Sequence, residues 1–248
     1  MGVETSLRED EKLDELFNGR LKIIQKKEGY RFSLDALLLA HFSCHLSAQS
    51  TIDLGTGSGI IPLILARKTA VPTIVGVEVQ EEMADMARRT MLLNELTGRV
   101  TILHEDLRNI RDTFPPASFD LIVSNPPYYP VSDGRISPTE QKAIARHEIL
   151  LCLEDLVSRA HYLVNPTGCV VIIFPAKRLT DLLSALTAAA LKPRLLRIIY
   201  SQKDGEGKLV IVEAGKGGNP ELEIAQPFFV YDQGGRYSEA MQHIYDEI

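Results

Sequence analysis

Residues 51–62 read Thr51-Ile52-Asp53-Leu54-Gly55-Thr56-Gly57-Ser58-Gly59-Ile60-Ile61-Pro62, and the fold follows from this stretch. A short apolar run at 51–54 ends in glycine, and residues 60–68 then have helical character. Strand, tight glycine turn and helix open a βαβ unit. The glycines let the backbone turn sharply and let a ligand approach it with no Cβ in the way. The loop is not Gly-x-x-x-x-Gly-Lys-Ser/Thr, so it is not a P-loop. It also departs from Gly-x-Gly-x-x-Gly, since its third glycine comes one residue early.

The pattern continues on both sides. Ser33 is placed to cap a helix over 34–42, with Asp35 in its first turn, where a carboxylate suits the helix dipole. Downstream, strands are predicted at 73–77, 100–103, 119–123, 169–174, 195–200 and 209–213. Helices are predicted at 81–94, 149–164 and 179–191. Asp204-Gly205-Glu206-Gly207 joins the last two strands as a hairpin turn. Upstream, residues 1–20 predict a charged arm or short surface helix, and a strand at 21–24 is expected to form a hairpin with 30–32. The tail offers one more strand at 228–231 before a turn at 232–235. Strands alternating with helices predict an α/β protein with a mostly parallel sheet covered on both faces. The closing hairpin makes its last strand antiparallel.

With 248 residues the chain falls between one and two domains of roughly 150 residues each. Its 45% hydrophobic and 24% charged residues are ordinary for a globular protein. Lys and Arg number 27 against 33 Asp and Glu, a net charge of −6, which excludes a generally basic nucleic-acid binder. One basic face remains compatible with that sum. Lys22, Lys26, Lys27 and Arg31 cluster near the N-terminus, and Lys177, Arg178, Lys192, Arg194 and Arg197 flank the late strands, so a basic rim is expected. No run of about 18 uncharged apolar residues appears, so no membrane span is expected. Residues 1–11 hold no apolar signal core, and the cytoplasm is the expected compartment. Cys44, Cys152 and Cys169 are widely spaced, with no Cys-x-x-Cys pair; they read as reduced filler, and no metal site is expected.

Three acids mark successive strand ends. Asp53 precedes the first glycine, where it would repel a pyrophosphate but suits a cationic ligand. S-adenosylmethionine, with its sulfonium and ammonium, fits that requirement. Glu78 ends the second strand, where a carboxylate can accept both hydroxyls of a ribose. Glu105-Asp106-Leu107 follows the third, and Asp106 can accept a hydrogen bond from an adenine amine. All three converge on the crevice where open α/β sheets bind ligands.

After the fourth strand comes Ser124-Asn125-Pro126-Pro127-Tyr128. Paired prolines fix φ and hold their carbonyls rigidly. Asn125 offers a side-chain oxygen and Tyr128 an aromatic face for a planar base or amide. An exocyclic amine is a poor nucleophile because its lone pair is delocalised. Two acceptors for its two protons, Asn125 and the Pro126 carbonyl, favour a pyramidal nitrogen with its lone pair aimed at a methyl donor. The same acceptors stabilise the positive charge that develops on transfer.

Asp53-x-Gly55-x-Gly57-x-Gly59, Glu78, Asp106 and Asn125-Pro-Pro-Tyr128 together resemble the amino-methylating class I S-adenosylmethionine-dependent methyltransferases. The likeness spans roughly residues 30–215. A narrower resemblance rests on 29–40 (Gly-Tyr-Arg-Phe-Ser-Leu-Asp-Ala-Leu-Leu-Leu-Ala), Ala145-Arg146-His147-Glu148 and Val230-Tyr-Asp-Gln-Gly-Gly-Arg-Tyr237. These resemble the bacterial family that methylates adenine N6 in the valine tRNA, beside the anticodon. That resemblance implies a Rossmann-like seven-stranded methyltransferase sheet with one antiparallel strand. It implies Asn125, Pro126, Pro127 and Tyr128 as catalytic residues. It implies Ser33, Asp35, Asp53, Gly55, Thr56, Gly57, Gly59, Glu78, Asp106 and Leu107 as the S-adenosylmethionine site, with Ser33 and Asp35 over the methionine end. It also implies a tRNA partner, no metal, no membrane, and a monomer or homodimer. Residues 1–45 would form an arm and cofactor cover, 46–215 the methyltransferase domain, and 216–248 a tail near the substrate. Guanine N2 enzymes usually carry Phe in place of Tyr128, so that branch fits less well. Two alternatives stay open. A protein-glutamine methyltransferase uses the same motif but carries a longer N-terminal domain than the roughly 50 residues preceding this loop. The other is a non-catalytic, RNA-associated cofactor-binding module.

Overall fold

Seven alternating strands with helices between them can bury both sheet faces only by placing helices above and below. The computed structural model describes residues 6–17, 19–28, 33–126, 152–217 and 221–246, and they form that three-layer arrangement. The central strands are β3 (Ser50–Leu54), β4 (Thr73–Glu78), β5 (Val100–His104), β6 (Phe119–Ser124), β7 (Val164–Pro175), β8 (Lys192–Tyr200) and β9 (Gly207–Gly215). Their order is β8-β9-β7-β6-β3-β4-β5, all parallel except β9, which runs antiparallel to both neighbours. The expected seven-stranded sheet with an antiparallel hairpin strand is therefore present. Two-residue strands β10 (Glu223–Ile224) and β11 (Phe228–Phe229) add along the free edge of β8.

One face is covered by α1 (Leu34–Ser43), α2 (Ile60–Lys68), α3 (Glu81–Leu93) and the last helix, Glu239–Asp246. The other carries α4 (Ile110–Thr113), α5 (Leu153–Leu163) and α6 (Leu179–Ala188), making that last helix α7. Ala36 through Ala40 in α1 are all buried, so this helix is apolar on every side rather than amphipathic. It lies against α2, β6 and β7, and Met241 and Ile244 of α7 belong to the same core.

The N-terminal region differs from expectation. Residues 11–16 form β1 (Glu11–Leu16), paired antiparallel with β2 (Leu21–Lys26). β2 thus has a hairpin partner upstream of it, while the expected partner at 30–32 lies outside the described residues. Phe17 (φ +54°) and Gly19 (φ +82°) make the turn, and Asn18-Gly19 is the sequence signal for it. The charged side chains of β1 are not a solvated arm. Arg89 of α3 chelates Glu11, through Nη2 to Oε1 at 2.6 Å and Nη1 to Oε2 at 2.7 Å, with both residues buried. Arg89 Nε also donates to Asp85 at 2.9 Å. Lys26 bridges Asp10 and Glu82 at the same junction. The hairpin is therefore clamped along α3.

Candidate active site

The carboxyl ends of β3 to β6 share one edge of the sheet. Leu54 pairs with Val77, Glu78 with His104, and Asp53 with Val123. Chain order reverses here, since β4 and β5 lie on one side of β3 and β6 and β7 on the other. Such a switch point leaves a ligand crevice. The structure brings Asp53, the glycine loop, Glu78, Asp106 and Asn125 to this edge.

The loop is fastened to the end of β4. Gly55, Gly57 and Gly59 hold φ of +81°, +57° and +83°, a region other residues rarely enter. A Cβ at Gly55 would meet no described atom within 4 Å, so the turn itself, not crowding, requires glycine there. The Gly55 and Thr56 N–H groups both donate to the Val77 carbonyl, at 3.0 and 2.9 Å. The Gly57 N–H donates to Glu78 Oε2 at 2.9 Å. On the other side, Ser124 Oγ donates to the Leu54 carbonyl at 2.8 Å, tying the residue before Asn125 to the residue before Gly55. Ser124 is 1% exposed. Sequence reasoning missed its role, because 70 positions separate the partners.

Asp53 is fully buried, and among the described residues neither of its oxygens has a hydrogen-bond partner. Burial pushes its carboxyl up to about 7; the nearby Thr56 hydroxyl opposes the shift and the Glu78 charge adds to it. A buried carboxyl without partners is a standing demand for a cation or donor. Among the described residues the buried Thr56 and Ser58 hydroxyls also lack hydrogen-bond partners. Glu78 Oε2 holds the Gly57 N–H at 2.9 Å and keeps a lone pair for a further donor, while Oε1 accepts from the Gln80 N–H at 2.9 Å and from the Gln80 side-chain amide at 3.5 Å.

Asp106 caps the short helix Leu107–Asn109 by accepting from the Arg108 N–H at 2.9 Å. The Arg108 guanidinium also grips both oxygens and holds the carboxyl below its ordinary range. Leu107 packs into the core beside Ile110. Ser33 takes extended backbone before α1 but makes no side-chain cap bond, and Asp35 sits in the first helical turn. Asn125 and Pro126 follow β6 directly and are half-buried. Pro127, Tyr128 and Ala145-Arg146-His147-Glu148 lie outside the described residues. Part of the expected basic rim also contacts the chain's own groups. Besides the Lys26 bridges, Lys177 pairs with Glu206, Arg178 with Asp181, and Arg194 and Arg197 donate to the Gly217 and Gln226 carbonyls. Lys22 and Lys192 are exposed, and Arg31 lies outside the described residues.

The methyltransferase small domain family matches residues 34–147, the segment that supplies the crevice. A tRNA1(Val) (adenine(37)-N6)-methyltransferase of Porphyromonas gingivalis is 34% identical over 175 residues, covering 68% of each chain. The chain belongs to this methyltransferase family. A namesake from a Flavobacteriaceae bacterium is 28% identical over 225 residues, covering 89% of this chain and 91% of its own. A predicted O-methyltransferase from Agrobacterium tumefaciens shares the fold, with a TM-score of 0.68 at 19% identity over 86% of this chain and 96% of its own. This methyltransferase is an S-adenosylmethionine-dependent enzyme. Its residues fit that cofactor: Asp53 lacks a partner among the described residues, the glycine turn leaves open backbone at Gly55, and Glu78 keeps acceptor capacity on Oε2. Among the described residues no helix is long and apolar enough to cross a membrane.

Proposed function

We propose that this methyltransferase transfers a methyl group to N6 of an adenine beside the anticodon of a tRNA, in the cytoplasm. The observation that carries the reading is the tie between Ser124 and Leu54, which sets Asn125 next to the glycine loop. The relatives' names agree in substrate. In this reading Asp53 and Glu78 hold the methionine and ribose portions of S-adenosylmethionine, and Asp106 accepts from its adenine amine. Ser33 and Asp35 lie over the methionine end. Bound S-adenosylmethionine supplies an electrophilic methyl on a sulfonium.

The chain's own groups then act on the acceptor. Asn125 Oδ1 and the Pro126 carbonyl accept hydrogen bonds from the two N6 protons and draw the nitrogen towards pyramidal geometry. They stabilise the ammonium character that builds as the new bond forms, because preorganised acceptors need no reorganisation at that moment. Tyr128 stacks on the base. The product ammonium loses its proton without a dedicated base. Residues 1–45 and 216–248 flank the catalytic domain in this scheme.

Mass-spectrometric nucleoside analysis of tRNA from cells with and without the protein tests the reading. The expected result is loss of N6-methyladenosine from valine tRNA, restored by the wild-type chain. Unchanged N6-methyladenosine in that tRNA overturns it.

A further inference from the structure

Gly76 lies in the middle of β4, opposite Asp53 and Ile102 in the neighbouring strands. Its φ is not in the left-handed region, so backbone conformation does not require glycine there. Space does. A Cβ at Gly76 would sit 2.9 Å from both Cγ2 and Oγ1 of Thr56 and 2.8 Å from Ile102 Cδ1. The Ile102 contact is the far end of a flexible chain and can move. Thr56 cannot clear the space by rotation. Both branches of its β-carbon straddle Gly76, and any staggered rotamer keeps at least one of them on that side. Thr56 is also 4% exposed and fixed by its own N–H on Val77.

We propose that Thr56 seated over Gly76 forms a knob-and-hole contact that sets the height of the cofactor loop, which makes Gly76 a positioning residue for S-adenosylmethionine binding. The contact stands at the centre of the bonds that fasten the loop. Gly55 and Thr56 hang on Val77, and Gly57 hangs on Glu78, the residues just beyond Gly76. Filling the hole lifts Thr56 and breaks the Gly57 to Glu78 bond. It also moves the hydroxyl that moderates Asp53. A glycine in a strand interior weakens the strand, so its presence here needs a compensating close approach, and the loop provides it.

Calorimetric binding of S-adenosylhomocysteine tests this, read beside thermal unfolding. Gly76→Ala should weaken binding about tenfold to a hundredfold, the scale of overpacking in a close-packed site. Adding Ile102→Val removes Cδ1 and should recover stability while leaving binding weak. That double variant is also the working form if Gly76→Ala alone does not fold. Adding Thr56→Ala in place of, or on top of, Ile102→Val should return affinity to that of Thr56→Ala alone. Wild-type-like binding by Gly76→Ala/Ile102→Val overturns the proposal, as does failure of Thr56→Ala to rescue. The inference rests on the cofactor binding at this loop, and absence of binding by the wild-type protein would count against that reading instead.

Discussion

Replacing Glu11 with alanine leaves the Arg89 guanidinium buried with Asp85 and the Ser6 carbonyl as its remaining partners. Glu11 and Arg89 are 2% and 3% exposed, so water cannot take over the lost contacts. Breaking a buried ion pair from one side costs about 3–5 kcal/mol. Asp85 still neutralises Arg89, which places the expected loss at the low end, about 3 kcal/mol. At about 2–4 °C per kcal/mol for a protein of this size, that shifts the unfolding midpoint down by roughly 6–12 °C. The pair clamps β1 to α3, so part of the loss should show as local opening. Hydrogen exchange in β1 and β2 should accelerate before the central sheet responds. The double variant Glu11→Met/Arg89→Met should recover most of the stability, because it removes both charges from the buried site. The pH dependence carries a sign as well. Arg89 holds the Glu11 carboxyl below its ordinary 4.5, so the pair contributes fully above that value. Its contribution is lost as pH falls through the depressed folded-state value. A midpoint for Glu11→Ala within about 1 °C of wild type, well under the shift that even one kcal/mol produces, would refute the clamp.

Further outcomes follow from the site. Asn125→Ala should lower single-turnover methyl transfer to tRNA on the order of 10²–10³-fold with cofactor affinity kept, while Asn125→Asp retains more activity; full activity in the alanine variant would sink the acceptor role. Folded Asp53 keeps its proton up to about 7 while the unfolded chain loses it near 3.8, so this group's contribution to the ligand-free protein's stability declines as pH rises through that window. A cationic ligand favours ionised Asp53, so affinity for S-adenosylmethionine should rise with pH towards 7 and level off above, with proton release detected in buffers of different ionisation enthalpy; a flat profile from pH ~6 to ~8 without proton release contradicts it. Arg108→Ala removes the guanidinium from Asp106 and frees Oδ2, with the backbone N–H cap on Oδ1 retained, and should tighten cofactor binding by a small factor, about two- to fivefold for an exposed pair; weaker binding would show that Arg108 supports the site rather than competing for it.

Much of the fold is readable along the chain. Glycine turns, apolar periodicity and acids at strand ends are local features, and local features fix which segments become strands or helices and where loops fall. The helical pattern at 60–68 coincides with the observed bounds Ile60–Lys68, and the crevice residues follow from strand order once the sheet is parallel. The Asn18-Gly19 turn is also local; the density of charge in residues 8–15 obscures it, because charge normally marks a solvated segment. Burial reverses that rule only when a partner arrives from elsewhere, and Arg89 arrives from 78 positions away. The same holds for Ser124 on Leu54 and for the missing Cβ of Gly76 beneath Thr56. It holds for Asp53 too, whose acid strength depends on how completely the packed layers exclude water from it. Sequence pattern determined which chemistry stands at which strand end. Packing between distant segments decided which of those groups are buried, which are tied down and which are left with open valences, since desolvation and close contact are properties of the assembled layers and not of any one segment.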